Sequence, residues 1–446
     1  MSRSDLPTLR VALLGFGVVG SEVGRLIVTH SEDLAARAGA NLDLVGVAVR
    51  SLDEPQVRAL QPPNPTTDAA GLIARADIVI ELLGGIEPAR TFILEAIERG
   101  ASVVTANKAL LAAHGPTLYE AAAAAGVDLF YEAAVGGAIP IVRGVRVSLA
   151  GDTVTRILGI VNGTTNYVLD QMTREHLGFD EAVAQAQRLG YAEADPTADI
   201  EGFDAASKAA ILASLAFHTR VSIDEVHREG ITAITQADVE AAAANGYVIK
   251  LLAIVERLVD DAGADLGVVA RVHPALVPVD HPLGSVHGAF NAVFTESEAA
   301  GPLMFYGQGA GGVPTSSAVV GDVVAAARHR PTGQTGPGES AYTGLKALPI
   351  ACARTRYQVR LVVADRPGVL ESVARVFAAH RVSIDEVRQA PFPAGDARGE
   401  AEQPTLANLV IITHTALDGD LSATVAELEA LDAVDSVAGV IRVEGV

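Results

Sequence analysis

An apolar run, Leu9-Arg10-Val11-Ala12-Leu13-Leu14, breaks into Gly15-Phe16-Gly17-Val18-Val19-Gly20, and Val23, Leu26 and Ile27 follow at helical spacing. Strand, three spaced glycines and amphipathic helix, in that order, admit few folds. The first glycine suits a tight turn, the second lets backbone approach a bound group, and the third lets helix pack on strand. The start of the helix presents free N–H groups and a positive dipole end, a setting for phosphate. The pattern predicts a dinucleotide-binding turn at Gly15, Gly17 and Gly20.

A second strand, Leu42–Val49, ends at Arg50. An acidic residue there would bond a ribose 2′-hydroxyl, whereas a guanidinium suits a 2′-phosphate. The expectation is NADP(H) as the preferred cofactor, with NAD(H) left open because Asp53 follows closely. Strand and helix periods alternate to about residue 140, with strands at Ala76–Leu83, Ala101–Lys108 and Val127–Glu132 and a helix over 88–99. That alternation predicts an α/β, doubly wound parallel sheet of the Rossmann type over 1–145. The glycine run Gly307–Gly312, ahead of Pro314-Thr315-Ser316, opens another helix and should return to the cofactor cleft over about 307–330.

Residues 146–306 change character. Strand Arg156–Val161 leads into Asn162-Gly163-Thr164-Thr165-Asn166, helices are expected near 180–189, 203–218 and 237–258, and three strand-like runs follow. An α+β substrate-binding and dimerisation domain is expected. Residues 331–355 read as a linker by their glycine and proline content. From 356 to 446 the order βαββαβ predicts a separate ferredoxin-like module, with a Pro/Gly/acid loop at 391–404.

The formal charge of −21 argues against nucleic acid or an anionic membrane as a partner. The single cysteine, Cys352, excludes an internal disulfide framework and fits a reducing compartment. No stretch reaches about eighteen uncharged apolar residues and the first strand lacks a cleavage pattern, so a cytoplasmic chain is expected.

Five carboxylates, Glu193, Asp195, Asp199, Glu201 and Asp204, crowd together ahead of one cation, Lys208. If the chain is helical from about 203, Asp204 and Lys208 share a face and can touch. A carboxylate-flanked lysine at a helix mouth can hold a small zwitterion and pass a proton. The plainer reading is a solvated loop followed by a surface ion pair.

Six segments in one order resemble the homoserine dehydrogenase family with a C-terminal ACT module. They are ELLGG at 81–85, TANKALLA at 105–112, EAAVGGAIP at 132–140, GIVNGTTNYVL at 159–169, YAEADPTADIEGFDAASK at 191–208 and GQGAGGVPTSSAVVGD at 307–322. The resemblance implies reversible NAD(P)H-dependent reduction of L-aspartate 4-semialdehyde to L-homoserine, on the route to threonine, methionine and isoleucine. It implies Lys208 as proton donor, with Glu193, Asp204 and Lys108 at the substrate, Lys108 also near the nicotinamide. Phe16, Gly17, Val18, Val19 and Gly312 would line the cofactor. Glu132 and the backbone carbonyls of Val135, Gly137 and Ile139 match a structural monovalent-cation site for Na+ or K+. The ACT module implies an amino-acid effector such as threonine at Asp365-Arg366-Pro367-Gly368, unless it only dimerises, and a homodimer or homotetramer. Spacing alone leaves open which lysine gives the proton. Two rivals are another NAD(P)-dependent dehydrogenase of a small amino-acid aldehyde or keto acid and a non-catalytic amino-acid sensor.

Overall fold

The computed structural model describes residues 6–391 and 406–445, so most of the loop expected at 391–404 lies outside the described residues. Six parallel strands form the first sheet: Thr8–Leu14, Asn41–Ala48, Pro65–Thr66, Ile78–Glu81, Ser102–Thr105 and Leu129–Phe130. They lie in the spatial order third, second, first, fourth, fifth, sixth. This is the doubly wound order, and the crevice opens where the chain reverses between the first and fourth strands. Helix Gly312–His329 returns here, and its Val319, Val320, Val323 and Val324 pack with Val23 and Ile27 of helix Val18–Thr29. Among the described residues no helix is long and apolar enough to cross a membrane.

Among the described residues the second sheet has eleven strands. Its substrate-domain strands lie in the order Gly301–Gln308, Phe290–Ser297, Val154–Ile160, Tyr247–Val259 and Asp265–Pro278. Helices Gly163–Arg174 and Phe203–Ala216 cover one face. Leu158, Leu252 and Ile254 point to the other, under the turn Pro282–Ser285. The helix expected over 237–258 is wrong in its second half: the helix spans Gln236–Ala244 and a 13-residue strand spans Tyr247–Val259. Gly246 breaks the alanine helix at φ +79°. Beyond it, Leu251, Ala253 and Val255 alternate with Leu252 and Ile254 between two cores, so both faces are buried and the run reads as uniformly apolar.

Beyond residue 353 the order is strand Arg354–Ala364, helix Val369–Ala379, strands Ile384–Pro391 and Leu406–Thr413, helix Asp418–Glu429 and strand Val434–Val443. This is the expected βαββαβ arrangement. It is not separate, however. Its last strand pairs in parallel with Asp265–Pro278, matching Ala275 to Arg442 and Leu276 to Val443, so one sheet runs through both parts. Charges seal this seam. Glu444 accepts from Arg271 Nη2 (3.2 Å) and Thr355 Oγ1 (3.1 Å) and pairs with Arg156, while Arg442 bridges Asp418 (2.7 Å) and Glu229 (2.8 Å).

The expected linker is also anchored along its length. Gly336 N–H donates to Asp128 (2.6 Å), Arg220 grips Glu339 with two bonds (2.9 and 2.7 Å), and Thr219 donates to the Leu345 carbonyl (2.8 Å). Leu348 and Lys346 then bond the backbone of Val268 (2.8 and 2.9 Å).

Glu444→Ala leaves the Arg271 side chain, 0% exposed, without one of its two carboxylates. Stranding a buried charge costs ~3–5 kcal/mol. Burial alone would raise the Glu444 carboxyl, but Arg271 and Arg156 outweigh it and lower the pKa to about 2. The contribution is therefore full above the ordinary value of 4.5 and fades as pH falls toward 2. Urea denaturation should show the variant weaker at pH 7, with the gap narrowing near pH 3. Equal stability at pH 7 refutes this account.

Candidate active site

The three glycines of the first turn divide the work. Gly15 sits at φ +98°, and a Cβ there would lie 2.6 Å from the Leu82 carbonyl oxygen. A Cβ on Gly20 would lie 2.2 Å from the Gly15 oxygen, so the helix packs against this turn only because Gly20 is bare. A Cβ on Gly17 would meet nothing within 4 Å. That open space adjoins the first turn of helix Val18–Thr29, where N–H groups lack helical partners. Phe16 is buried beneath the turn, Val19 is half-buried and Val18 is 69% exposed. Gly312 closes in from the return helix, where a Cβ would lie 2.9 Å from Val18 Cγ1. Arg50 is exposed two residues past strand Asn41–Ala48, and the nearby Asp53 is held by Arg58 (2.6 Å).

Lys108 does not end a strand, as its motif suggested, but begins helix Lys108–Ala125. The cause is Asn107, whose Oδ1 accepts from Leu110 N–H (3.1 Å) as an N-cap while Nδ2 donates to the Gly85 carbonyl (2.6 Å). Below it Glu81 is wholly buried, accepting from Leu83 N–H (2.7 Å) and Thr105 Oγ1 (2.6 Å). Thr105 in turn accepts from Asn107 N–H (3.0 Å). This neutral-donor chain fixes where Lys108 leaves the sheet.

The two lysines converge on one carboxylate. Lys208 Nζ donates to Asp204 Oδ2 (2.8 Å) and to the Val161 carbonyl (2.7 Å), while Lys108 Nζ contacts Asp204 Oδ1. Asn162 Nδ2 donates to Asp204 Oδ2 (2.9 Å) and to Asp199 Oδ1 (2.8 Å). The side chain of Lys208 is 9% exposed and that of Lys108 is 44% exposed. Burial pushes the Lys208 ammonium below its ordinary range, with Lys108 adding to the effect and Asp204 opposing it. For Lys108 burial works the same way but loses to Asp204, Asp199 and Glu193, so its pKa rises. Burial would raise Asp204, yet the two ammonium groups hold it far below the carboxylate range. The pair thus splits into a firmly charged lysine near the rim and a buried one that yields its proton more readily.

The acid run splits as well. Asp204 and Asp199 face the lysines. Asp195 accepts from Thr197 N–H (3.1 Å) and Oγ1 (2.6 Å), and Glu201 accepts from Thr232 Oγ1 (3.1 Å), so these two tie the loop. Glu193 is exposed and acts on Lys108 through its charge. Residue-type reasoning placed Asp199 only within the acid run and gave no role to Asn162, Glu81 or Thr105. Their signal was present in the Asn-Gly-Thr-Thr helix start and in the ends of two adjacent strands.

The segment 132–140 turns through Gly136 (φ +79°) and Gly137 (φ +61°). Both Glu132 carboxylate oxygens accept backbone N–H groups, from Val142 (2.8 Å) and Arg143 (2.9 Å). The carbonyl of Ile139 accepts from Ile141 N–H (2.8 Å). Among the described residues no backbone amide donates to the carbonyls of Val135 or Gly137. Glu132 and Asp322 are both buried; the Arg143 guanidinium bonds Asp322 (2.6 Å), which also accepts from the Glu132 backbone N–H (2.8 Å). Two carbonyl oxygens without backbone donors, in a loop that begins at a buried carboxylate, are oxygens of the hard type that a monovalent cation takes.

Three family models match the chain: "Homoserine dehydrogenase, NAD binding domain" over 15–132, "Homoserine dehydrogenase" over 140–324 and "ACT domain" over 357–433. The chain is 55% identical over 443 residues to the homoserine dehydrogenase of Mycobacterium tuberculosis, covering 99% of both chains. It is 51% identical over 436 residues to that of Corynebacterium glutamicum, covering 97% of this chain and 95% of that one. Among solved structures, a homoserine dehydrogenase from Thiobacillus denitrificans superposes with a TM-score of 0.90 at 38% identity, covering 98% of this chain and 99% of that one. A hyperthermophilic archaeal homoserine dehydrogenase in complex with NADPH gives 0.61 at 26% identity, covering 74% of this chain and 99% of that one.

Proposed function

The chain belongs to the homoserine dehydrogenase family, and from that premise we propose how its residues perform the reaction. It is an NAD(P)-dependent oxidoreductase that interconverts L-aspartate 4-semialdehyde and L-homoserine. Gly17 and the first turn of helix Val18–Thr29 would hold the phosphates of the dinucleotide, which when bound would supply or accept the hydride. Gly15, Phe16, Val18, Val19, Gly20 and Gly312 shape that crevice.

As hydride reaches the aldehyde carbon, negative charge grows on the carbonyl oxygen. Lys208 meets that charge and gives the proton, and in the reverse direction it takes the proton from the alcohol. Lys108 stays charged at the rim and orients substrate, with Asp204 and Glu193 engaging its polar groups. The observation that carries this assignment is the burial of Lys208 between the Val161 carbonyl and Asp204, with its proton loosened. Because the folded pKa lies below 10.5, reduction should fail on the alkaline side and oxidation should rise through the same ionisation. In Lys208→Met, kcat in both directions should fall by ~10²–10⁴-fold, the usual contribution of general acid–base catalysis. Pre-steady-state pH profiles should lose that ionisation. Unchanged kcat and an intact profile exclude Lys208 from the chemistry.

Arg50 is proposed to pair with a 2′-phosphate, making NADP(H) the preferred cofactor. It is exposed at the end of the second strand, while Arg58 occupies Asp53. Losing a charge-assisted bond of ~1.5 kcal/mol in Arg50→Ala should raise KM for NADPH about tenfold and leave KM for NADH in place. Equal effects on both cofactors would contradict this pairing.

A Na+ or K+ ion held by the carbonyls of Val135, Gly137 and Ile139 beside Glu132 would stiffen the 132–140 loop without entering the chemistry. An amino acid such as threonine at the turn Asp365–Gly368 would act on a homodimer or homotetramer serving threonine, methionine and isoleucine synthesis. Steady-state rates should fall with added threonine, and thermal midpoints should rise in sodium or potassium chloride over choline chloride. Insensitivity to threonine leaves the module purely structural, and indifference to the salt cation removes the ion.

A further inference from the structure

Asn162 stands where strand Val154–Ile160 hands over to helix Gly163–Arg174, and it is 6% exposed. Its Oδ1 accepts from Thr165 N–H (2.9 Å) and Thr165 Oγ1 (3.0 Å), the contacts of an ordinary N-cap. Those donors decide which end of the amide is which, so the NH2 group must face the other way. Facing it are the carboxylates of Asp199, from the turn Thr197–Ile200, and Asp204, from helix Phe203–Ala216. Each takes one hydrogen. All four hydrogen-bonding positions of this side chain are filled, two by the helix it starts and two by the acid run.

A cap needs only the oxygen. Aspartate caps a helix as well as asparagine does, so capping by itself leaves the choice of amide unexplained. The carboxylates supply the reason. Two anions drawn together beside Lys208 repel each other unless a donor sits between them, and a neutral donor adds no charge to the cluster. The preceding residue, Val161, supplies the carbonyl that accepts from Lys208. One dipeptide therefore anchors the lysine and its counterions from a single strand end.

We propose that Asn162 is a positioning residue that holds Asp199 and Asp204 side by side through its two amide hydrogens and thereby sets how firmly Lys208 keeps its proton. Its influence reaches the substrate through those carboxylates and not by contact. The groups facing the cluster are Asp199 and Glu193 from the acid run, Asp204 and Lys208 from helix Phe203–Ala216, and Lys108 from helix Lys108–Ala125. The inference rests on Lys208 being the proton-exchanging group.

Asn162→Asp separates the two roles, because it keeps the capping oxygen and replaces the donor with a third carboxylate oxygen. Thermal unfolding should stay cooperative at a lowered midpoint, since the added carboxylate is buried beside two others. The pH at which homoserine oxidation reaches half its maximum should move up by about one unit or more, the scale of a like-charge neighbour at hydrogen-bond distance. Aldehyde reduction at neutral pH should slow in kcat, with KM for NADPH unchanged. Asn162→Ser keeps a capping hydroxyl, adds no charge and should move the profile the same way by less; it decides the matter if the aspartate variant does not fold. Folded variants whose profiles superimpose on the parent's overturn the inference. Loss of the ionisation in Lys208→Met is read separately, so failure of that result points to the lysine assignment and not to Asn162.

Discussion

A single carboxylate, Asp204, holds the site together. It lies buried between two ammonium groups brought from different parts of the fold, one at the start of a helix of the first sheet's domain and one inside a helix packed on the second. Burying Asp204 and Lys208 is costly, and the cost is met only because each finds a charged partner. Removing the carboxylate would leave two cations repelling across a few ångströms. The first sheet's domain and the second sheet's domain therefore share a charge where their two lysines meet.

That arrangement explains why two lysines of the same type take different parts. Lys208 lies almost wholly among protein atoms and is pushed toward neutrality, while the half-exposed Lys108 is more firmly charged because three carboxylates act on it. Depth and the nearby carboxylates together set the two ammonium groups apart, the difference on which the proposed division of roles rests.

Much of this was legible in the chain. The Gly15–Gly20 spacing between an apolar strand and an amphipathic helix is a local pattern, as is the Asp204–Lys208 interval on one helical face, and both kinds of pattern survive folding. Lys108 was displaced from a strand end to a helix start because Asn107 is held from two sides at once, by Leu110 and by Gly85, a long-range contact that spacing cannot express. Tyr247–Val259 was hidden for a different reason. A strand buried on both faces loses its alternation, and the alanines before it extend the helical signal. The pairing of Asn162 with Asp199 and Asp204 spans 37 and 42 residues and depends on three elements meeting.

The shared sheet has a mechanical meaning for the C-terminal module. Strand Val434–Val443 is stitched to the substrate domain by backbone bonds and by buried ions, and the strap over 333–349 is tacked down on the opposite route. Two independent attachments restrain the module like a panel hung on both a hinge and a bolt. A protease that severed the strap would leave a nicked molecule whose fragments still travel together. Any signal crossing from one part to the other has to pass as strain along β-strands, since a free swing is denied to it.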